Sequence, residues 1–233
     1  MPTAGKLFLY REDKTLKDIA ALLEGWEEVV AIELDDEKVV LRKDISDVNY
    51  LEVAGELTAT YHQDEVMQVT FRDRVQTIPY TKEAELHFFT VNGAPYLVVM
   101  APKHIANNVA NQVSNIVSGQ IGAIAEPVLN IGEIKELYES GEATKIALFD
   151  NIDIPNMNKA TLYGANIVQT DLYGRFINIG DPWYIVFKDK QTGYTVGLVR
   201  DGSVCIFSSC ESDDFMDYME GRIVPLILRR PPS

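Results

Sequence analysis

The chain has 233 residues, 46% hydrophobic and 24% charged, with 35 acidic side chains against 21 basic ones and a formal charge of −14. That length supports one large domain or two of ordinary size, either able to bury a sufficient core. The acidic balance, with no Lys/Arg cluster longer than a pair, argues against nucleic acid, which needs a basic face to release phosphate counterions, and against anionic membrane surfaces.

No apolar run reaches membrane-spanning length and MPTAGKLFLYREDK has no signal-peptide core, so cytoplasmic residence is expected. Residues 7–10, LFLY, read as a short apolar strand at an edge or domain seam. Thr15-x-x-Asp18 is a capping box opening a helix with Leu16, Ile19, Leu22 and Leu23 on one face, and Gly25 stands at its C-terminal cap. Residues 29–34 and 38–41 read as strands around Asp35-Asp36-Glu37, a polar turn whose carboxylates face water; no ligand spacing accompanies them, so no metal site is expected. Val48, Leu51, Ala54, Leu57 and Tyr61 recur at helical spacing and favour an amphipathic helix, although Val53, Thr58 and Thr60 weaken its propensity. VTFRDR, residues 69–74, reads as a strand with a polar end, followed by a loop to about Glu83. Residues 86–91 and 96–100 flank Asn92-Gly93, the pair that a type I′ hairpin turn favours because both central residues need positive φ. Pro102 then opens a helix with Ile105, Val109, Val113, Ile116 and Val117 on one stripe.

After an apolar junction, QIGAIAEPVL at 120–129, the pattern recurs. Asn130-x-x-Glu133 opens a helix bearing Ile131, Ile134, Leu137 and Tyr138, ended by Gly141; cap and glycine follow Thr15 and Gly25 by 115 and 116 residues. Residues 145–149 read as the strand after it. IVFKDK at 185–190 follows VTFRDR by 116, and Asp201-Gly202 follows Asn92-Gly93 by 109. One length difference near residues 74–83 reconciles the offsets, so the chain reads as an internal duplication with repeats 1–122 and 123–233. Leu162, Ala165, Val168, Leu172 and Phe176 form the counterpart of the middle helix, and Ser212 caps a last helix bearing Phe215, Met219 and Ile223. DIPNMN, residues 153–158, interrupts the second strand of this half, and the tail from Arg229 is expected to fray.

Each half thus reads helix, strand, strand, helix, strand, strand, strand, helix. That order resembles the roadblock (dynein light-chain type) family, related to longin and profilin-like folds. The resemblance is carried by TLKDIAALLEGWEEVVAIELDDEKVVL and LHFFTVNGAPYLVVMAPKHIANNVANQVSNIV, and less closely by IGEIKELYESGEATKIALF and VGLVRDGSVCIFSS. It implies an α/β (α+β) fold of two tandem roadblock/profilin-like domains, each an antiparallel sheet of about five strands with helices on both faces. It also implies an intramolecular pseudo-dimer, paired through Leu51, Leu57, Leu162 and Leu172, and a non-catalytic scaffold or regulator of a Ras-like small GTPase.

Enzyme motifs are absent: there is no G-x-S-x-G, no G-x-x-x-x-G-K-[ST], no H-E-x-x-H and no C-x-x-C. His62, His87 and His104 are scattered; His87 reads as a structural strand residue and His104 as a solvated helix opener. Asp73-Arg74 and Asp189-Lys190 read as polar strand ends, while Asp150, Asp153 and Asp171 form a site only if the fold brings them together. Cys205 reads as a buried inert thiol, and Cys210, at a helix start, as a more exposed one. No cofactor is expected, and a protein partner is, with the oligomeric state open. Three other readings compete. One is a small-molecule sensor with an apolar PAS- or GAF-like pocket, and another an enzyme with its site at the seam between repeats. The third is a duplicated TATA-binding-type saddle, which has no helix between its second and third strands and needs a basic concave sheet.

Overall fold

The computed structural model describes residues 2–34 and 37–227. Strand accounts for 47% of the chain and helix for 26%, and the strand pairings within each unit are antiparallel. The chain divides into two compact units: an N-terminal unit, Leu9–Ala125, and a C-terminal unit that joins the residues up to Phe8 with those from Glu126 onward.

The N-terminal unit opens with helix α1 (Leu16–Leu23), where the Thr15 hydroxyl accepts from the Asp18 N–H at 3.2 Å and the Asp18 carboxylate accepts from the Thr15 N–H at 3.1 Å. This is the capping box legible in Thr15-x-x-Asp18. Strands β2 (Glu27–Leu34), β3 (Glu37–Leu51), β4 (Glu56–Phe71), β5 (Arg74–Val91) and β6 (Ala94–Met100) follow as a meander in that spatial order. Asn92 and Gly93, at φ +51° and +80°, make the tight β5–β6 turn that their sequence favours. Helix α2 (Lys103–Ser118) buries Ala106, Val109, Ala110, Val113 and Val117, and packs against β6 and α1; α1 packs on β3 and β4. Both helices therefore cover one face of the meander. The core lies beneath them, where Leu57, Ala59 and Tyr61 of β4 face Phe88, Leu86 and Ala84 of β5. A short strand β7 (Ile124–Ala125) pairs with the Leu9–Tyr10 end of β1 (Thr3–Tyr10).

The helix expected over residues 48–61 is not there. Residues up to Leu51 finish β3, residues 52–55 turn, and β4 begins at Glu56. Leu57 and Tyr61 suit either period, because a spacing of four keeps one face of a strand as well as of a helix. The alternation decides: Leu57, Ala59 and Tyr61 are 0%, 4% and 1% exposed, while Thr58 and Thr60 between them stay half-exposed. The threonines favour a pleated surface, and Gly55 sits at φ +69°, which a helix interior does not contain. The loop expected after Arg74 is likewise absent, since residues 74–91 form the continuous strand β5.

The C-terminal unit contains α3 (Ile131–Glu139), β8 (Ala143–Asp150), β9 (Ala160–Tyr163), α4 (Asp171–Phe176), β10 (Asp181–Lys188), β11 (Thr195–Val199), β12 (Ser203–Ile206) and α5 (Ser212–Tyr218). Asn130 caps α3 by accepting from the Gly132 and Glu133 N–H groups. The helix expected over residues 160–176 is reduced to the six residues of α4, because Leu162 lies in strand β9 and a 3₁₀ turn spans Ile167–Gln169. Strand order is β9-β8-β10-β11-β12, with Thr3–Lys6 of β1 paired to β12. The intervening α4 lets the chain pass over β8, so that β10 pairs with β8 and leaves β9 at the edge. In the N-terminal unit a short turn keeps β4 beside β3. The two halves therefore differ in strand order. Two five-stranded roadblock/profilin-like domains, each with helices on both faces, are not the fold: among the described residues the N-terminal unit has no helix between β2 and β6 and carries both its helices on one side.

Inside the C-terminal unit Lys6 is fully buried, donating to Glu126 and, at 3.1 Å, to Asp201. Tyr138 donates to the Tyr173 hydroxyl at 2.6 Å, which donates to Glu139 at 2.7 Å; burial pushes the Tyr138 phenol up to about 12. No helix among the described residues is long and apolar enough to cross a membrane.

Candidate functional site

Strand lengths in the N-terminal unit are unequal, and that inequality makes the surface of interest. β4 pairs with β3 only as far as Gln63, opposite Lys43, and β5 pairs with β6 only as far as Glu85, opposite Met100. Beyond those points, among the described residues, the backbones of β4 and β5 pair only with each other, up to the two-residue turn Arg72-Asp73, where Arg72 adopts φ +57°. β3 likewise continues past Lys43 with β2 alone. Because β3 and β4 are antiparallel neighbours, both two-stranded ribbons leave the sheet at the same end. Asp64 secures the point of divergence, accepting from the Arg42 N–H at 2.9 Å and the Thr81 hydroxyl at 2.7 Å, and these bonds hold its carboxyl below the ordinary range.

Side chains alternate along a strand and paired residues share a face, so the register assigns each face of the β4–β5 ribbon. The helix-covered face continues outward from Tyr61 and Ala84 through a polar band, then an apolar stripe. In the band, Glu65 accepts from Gln63 (3.0 Å), Tyr80 (2.9 Å) and Lys82 (2.6 Å), and the Lys82 ammonium holds the Glu65 carboxyl below its usual range. The first turn of α2, at His104 and Ile105, reaches this band. Past it, Met67 pairs with Ile78, Val69 with Gln76 and Phe71 with Arg74. All of these apolar side chains are exposed, Phe71 at 67%, and the Arg72 guanidinium lies 5.5 Å from the Phe71 ring centre. On the β2–β3 ribbon the same face presents Val30 with Leu41 and Ile32 with Val39.

The opposite face carries a cleft of about 550 Å³, lined by Trp26, Arg42, Asp44, His62, Asp64 and Glu83 among others. Ser46 Oγ lies 3.0 Å from His62 Nε2, and His62 Nδ1 lies 3.5 Å from Glu83, an order that superficially suits a serine nucleophile. The proton is misplaced for that chemistry. Ser46 donates to Asp47 at 2.7 Å, so His62 Nε2 must donate to the serine oxygen and cannot accept from it. The carboxylates around the cleft also suit no polyanion. The middle-helix objection to a saddle is thus removed for the N-terminal unit, while the objection from charge remains.

Of the four leucines expected at an inter-repeat interface, Leu57 is fully buried beside Phe88 and Leu162 is buried in β9, whereas Leu51 and Leu172 are 47% and 49% exposed. Cys205 and Cys210 are both half-buried, and burial pushes both thiols up, away from the reactive form. His87 lies 3.3 Å from Glu85 and His104 opens α2. Asp150 is engaged by both Arg200 nitrogens at 3.0 and 2.8 Å, and no group of three metal-ligating side chains occurs among the described residues. Asp35, Asp36 and the basic tail lie outside the described residues. Sequence reasoning missed Met67, Val69, Phe71 and Ile78. Their signal is the alternation E-V-M-Q-V-T-F, masked by a following turn with no glycine and by Pro79.

No protein-family model and no curated protein matches this chain. Fold and surface define a strand-rich α+β protein of two units, with an apolar stripe on a projecting β-ribbon.

Proposed function

We propose that this protein is a non-catalytic protein-interaction module whose docking surface is the helix-side face of the β4–β5 ribbon. One observation carries the reading: Met67, Val69, Phe71 and Ile78 lie exposed in one line, on two strands that have no third neighbour among the described residues. Contiguous exposed apolar surface marks interaction sites, and a two-stranded ribbon is marginal in water until something covers it. The expectation of a Ras-like GTPase came from an order of elements that included a middle helix. With strands in its place, the reading put forward rests on the ribbon's chemistry and names no GTPase.

Photo-crosslinking tests it. A photoreactive residue at Gln76, on the stripe face, is expected to capture protein in lysate of the source cells, while one at Thr70, on the opposite face, captures little. Equal labelling from both positions, or none from Gln76, would reject the docking surface.

A further inference from the structure

We infer that Asn92, at the tip of the β5–β6 hairpin, is a site of spontaneous covalent modification: its side-chain amide is lost after attack by the Gly93 backbone nitrogen, leaving aspartate or isoaspartate. The Gly93 nitrogen bonds to Asn92 Cγ and gives up its proton, the bond from Cγ to the amide nitrogen breaks, and ammonia leaves a cyclic succinimide. Water then opens the ring. Cleavage at Cγ gives aspartate, whereas cleavage at the backbone carbonyl gives isoaspartate, in which the chain runs on through the side chain. Water is the one co-reactant.

Asn92 is the single asparagine of the chain that precedes glycine. At the others a side chain on the following residue crowds the attacking nitrogen, as a β-branched isoleucine does after Asn115, Asn130, Asn151, Asn166 and Asn178. Asn92 and Gly93 are both exposed, and among the described residues nothing hydrogen-bonds the Asn92 side chain. The Asp201-Gly202 turn shows what restraint would look like. There the Gly202 N–H donates to the Val199 carbonyl at 3.1 Å, and the Asp201 carboxylate is held by Lys6 and by the Ser203 N–H, each at 3.1 Å.

The turn governs the rate. Asn92 and Gly93, at φ +51° and +80°, form a type I′ turn, whose first central residue has ψ near about +30° as the mirror of a type I turn. At that angle the Gly93 nitrogen lies almost opposite Cβ, turned away from Cγ, so attack waits for the tip to open. Opening is local. Outward of the buried Phe89–Tyr96 rung, whose rings stack at 5.6 Å, lie only Thr90 with Pro95 and Val91 with Ala94, and Thr90 and Ala94 are exposed. Such a tip belongs to the low-stability end of a fold and opens without disturbing the core. Isoaspartate, once formed, lengthens the backbone of this two-residue loop by one atom. Loop length fixes hairpin register, so the Val91–Ala94 pair cannot close as before, and each event adds a negative charge to −14.

The test is ageing of the full chain at mildly alkaline pH, folded and, in parallel, unfolded in guanidinium chloride. Trypsin releases residues 83–103, in which Asn92 is the only asparagine. Mass spectrometry should show the amide of this peptide replaced by a carboxyl before any other asparagine-containing peptide of the folded chain changes, and isoaspartyl methyltransferase should label it. Unfolding should speed the conversion about tenfold, because the turn no longer holds ψ. Asn92→Gln should abolish the labelling of residues 83–103. Another asparagine converting first in the folded chain, or Asn92 still intact there when the unfolded chain has converted completely, overturns the inference. Equal rates in the folded and unfolded chains overturn control by the turn.

Discussion

Lys6 shows how strictly single residues are accounted for. Its ammonium has no exposed surface and is held by Glu126 and Asp201, 5.3 Å above the Phe8 ring. A buried charge stripped of a partner is costly, so Asp201→Asn should lower stability by about 3 kcal/mol, the lower end for such a change because Glu126 remains. Urea unfolding measures this, and a loss below about 1 kcal/mol would show that Glu126 suffices alone. Glu65 gives a pH dependence. Its carboxyl titrates below the ordinary value in the folded state, because Lys82 and Tyr80 donate to the ionised form. Such a group stabilises above its unfolded pKa and loses that contribution as pH falls through the folded one. Glu65→Gln should therefore melt lower than wild type at pH 7, with the gap closing below about pH 4. A gap constant from pH 7 to 3 would mean that the charge plays no part. Neither residue stands out in the sequence, where Lys6 is one of 21 basic side chains and Glu65 one of 35 acids.

At the scale of elements, Gly55 offers a test with a sign. It sits at φ +69° in the β3–β4 turn, with no atom within 4 Å of where a Cβ would stand. Gly55→Ala adds no clash, only backbone strain, and should destabilise by about 1–2 kcal/mol. In the helix that residues 48–61 favour by spacing alone, the same change would stabilise by about 1 kcal/mol. Chemical denaturation reads the sign directly. The elements that were legible in sequence are those set within a few residues, namely the Thr15 and Asn130 caps and the Asn92-Gly93 turn. The stretch at 48–61 was not legible. Its spacing of three and four overlaps with alternation at Leu57 and Tyr61, and the choice falls to what packs on Ala59. The β4–β5 ribbon escaped notice for a related reason, since Arg72-Asp73 turns the chain without glycine and leaves no local mark.

For the whole molecule, the division into units does not follow chain order at the N-terminus. Thr3–Lys6 pairs with β12 of the C-terminal unit, opposite Ile206, Cys205, Val204 and Ser203. Removing residues 1–8 should therefore weaken the C-terminal unit more than the N-terminal one. The two tryptophans report separately, Trp26 in the N-terminal unit and Trp183 in β10. With each replaced in turn by phenylalanine, the unfolding midpoint seen by Trp183 should fall on truncation by more than that seen by Trp26. Equal shifts would show that the units lose stability together.

Composition alone determined the net charge of −14, and local chemistry determined where helices begin and where the β5–β6 hairpin turns. Those outcomes depend on atoms within one turn of chain, so they can be read from order alone. Tertiary structure decided the rest. Strand order differs between the halves because α4 carries the chain across β8 whereas residues 52–55 do not cross β3, and the β4–β5 ribbon is a surface only because β3 turns away and α2 stops at the Glu65–Lys82 band. Exposure of an apolar side chain is a property of what packs on it, and which of the described residues pack on Met67, Val69, Phe71 and Ile78 is set by pairings between residues far apart in the chain.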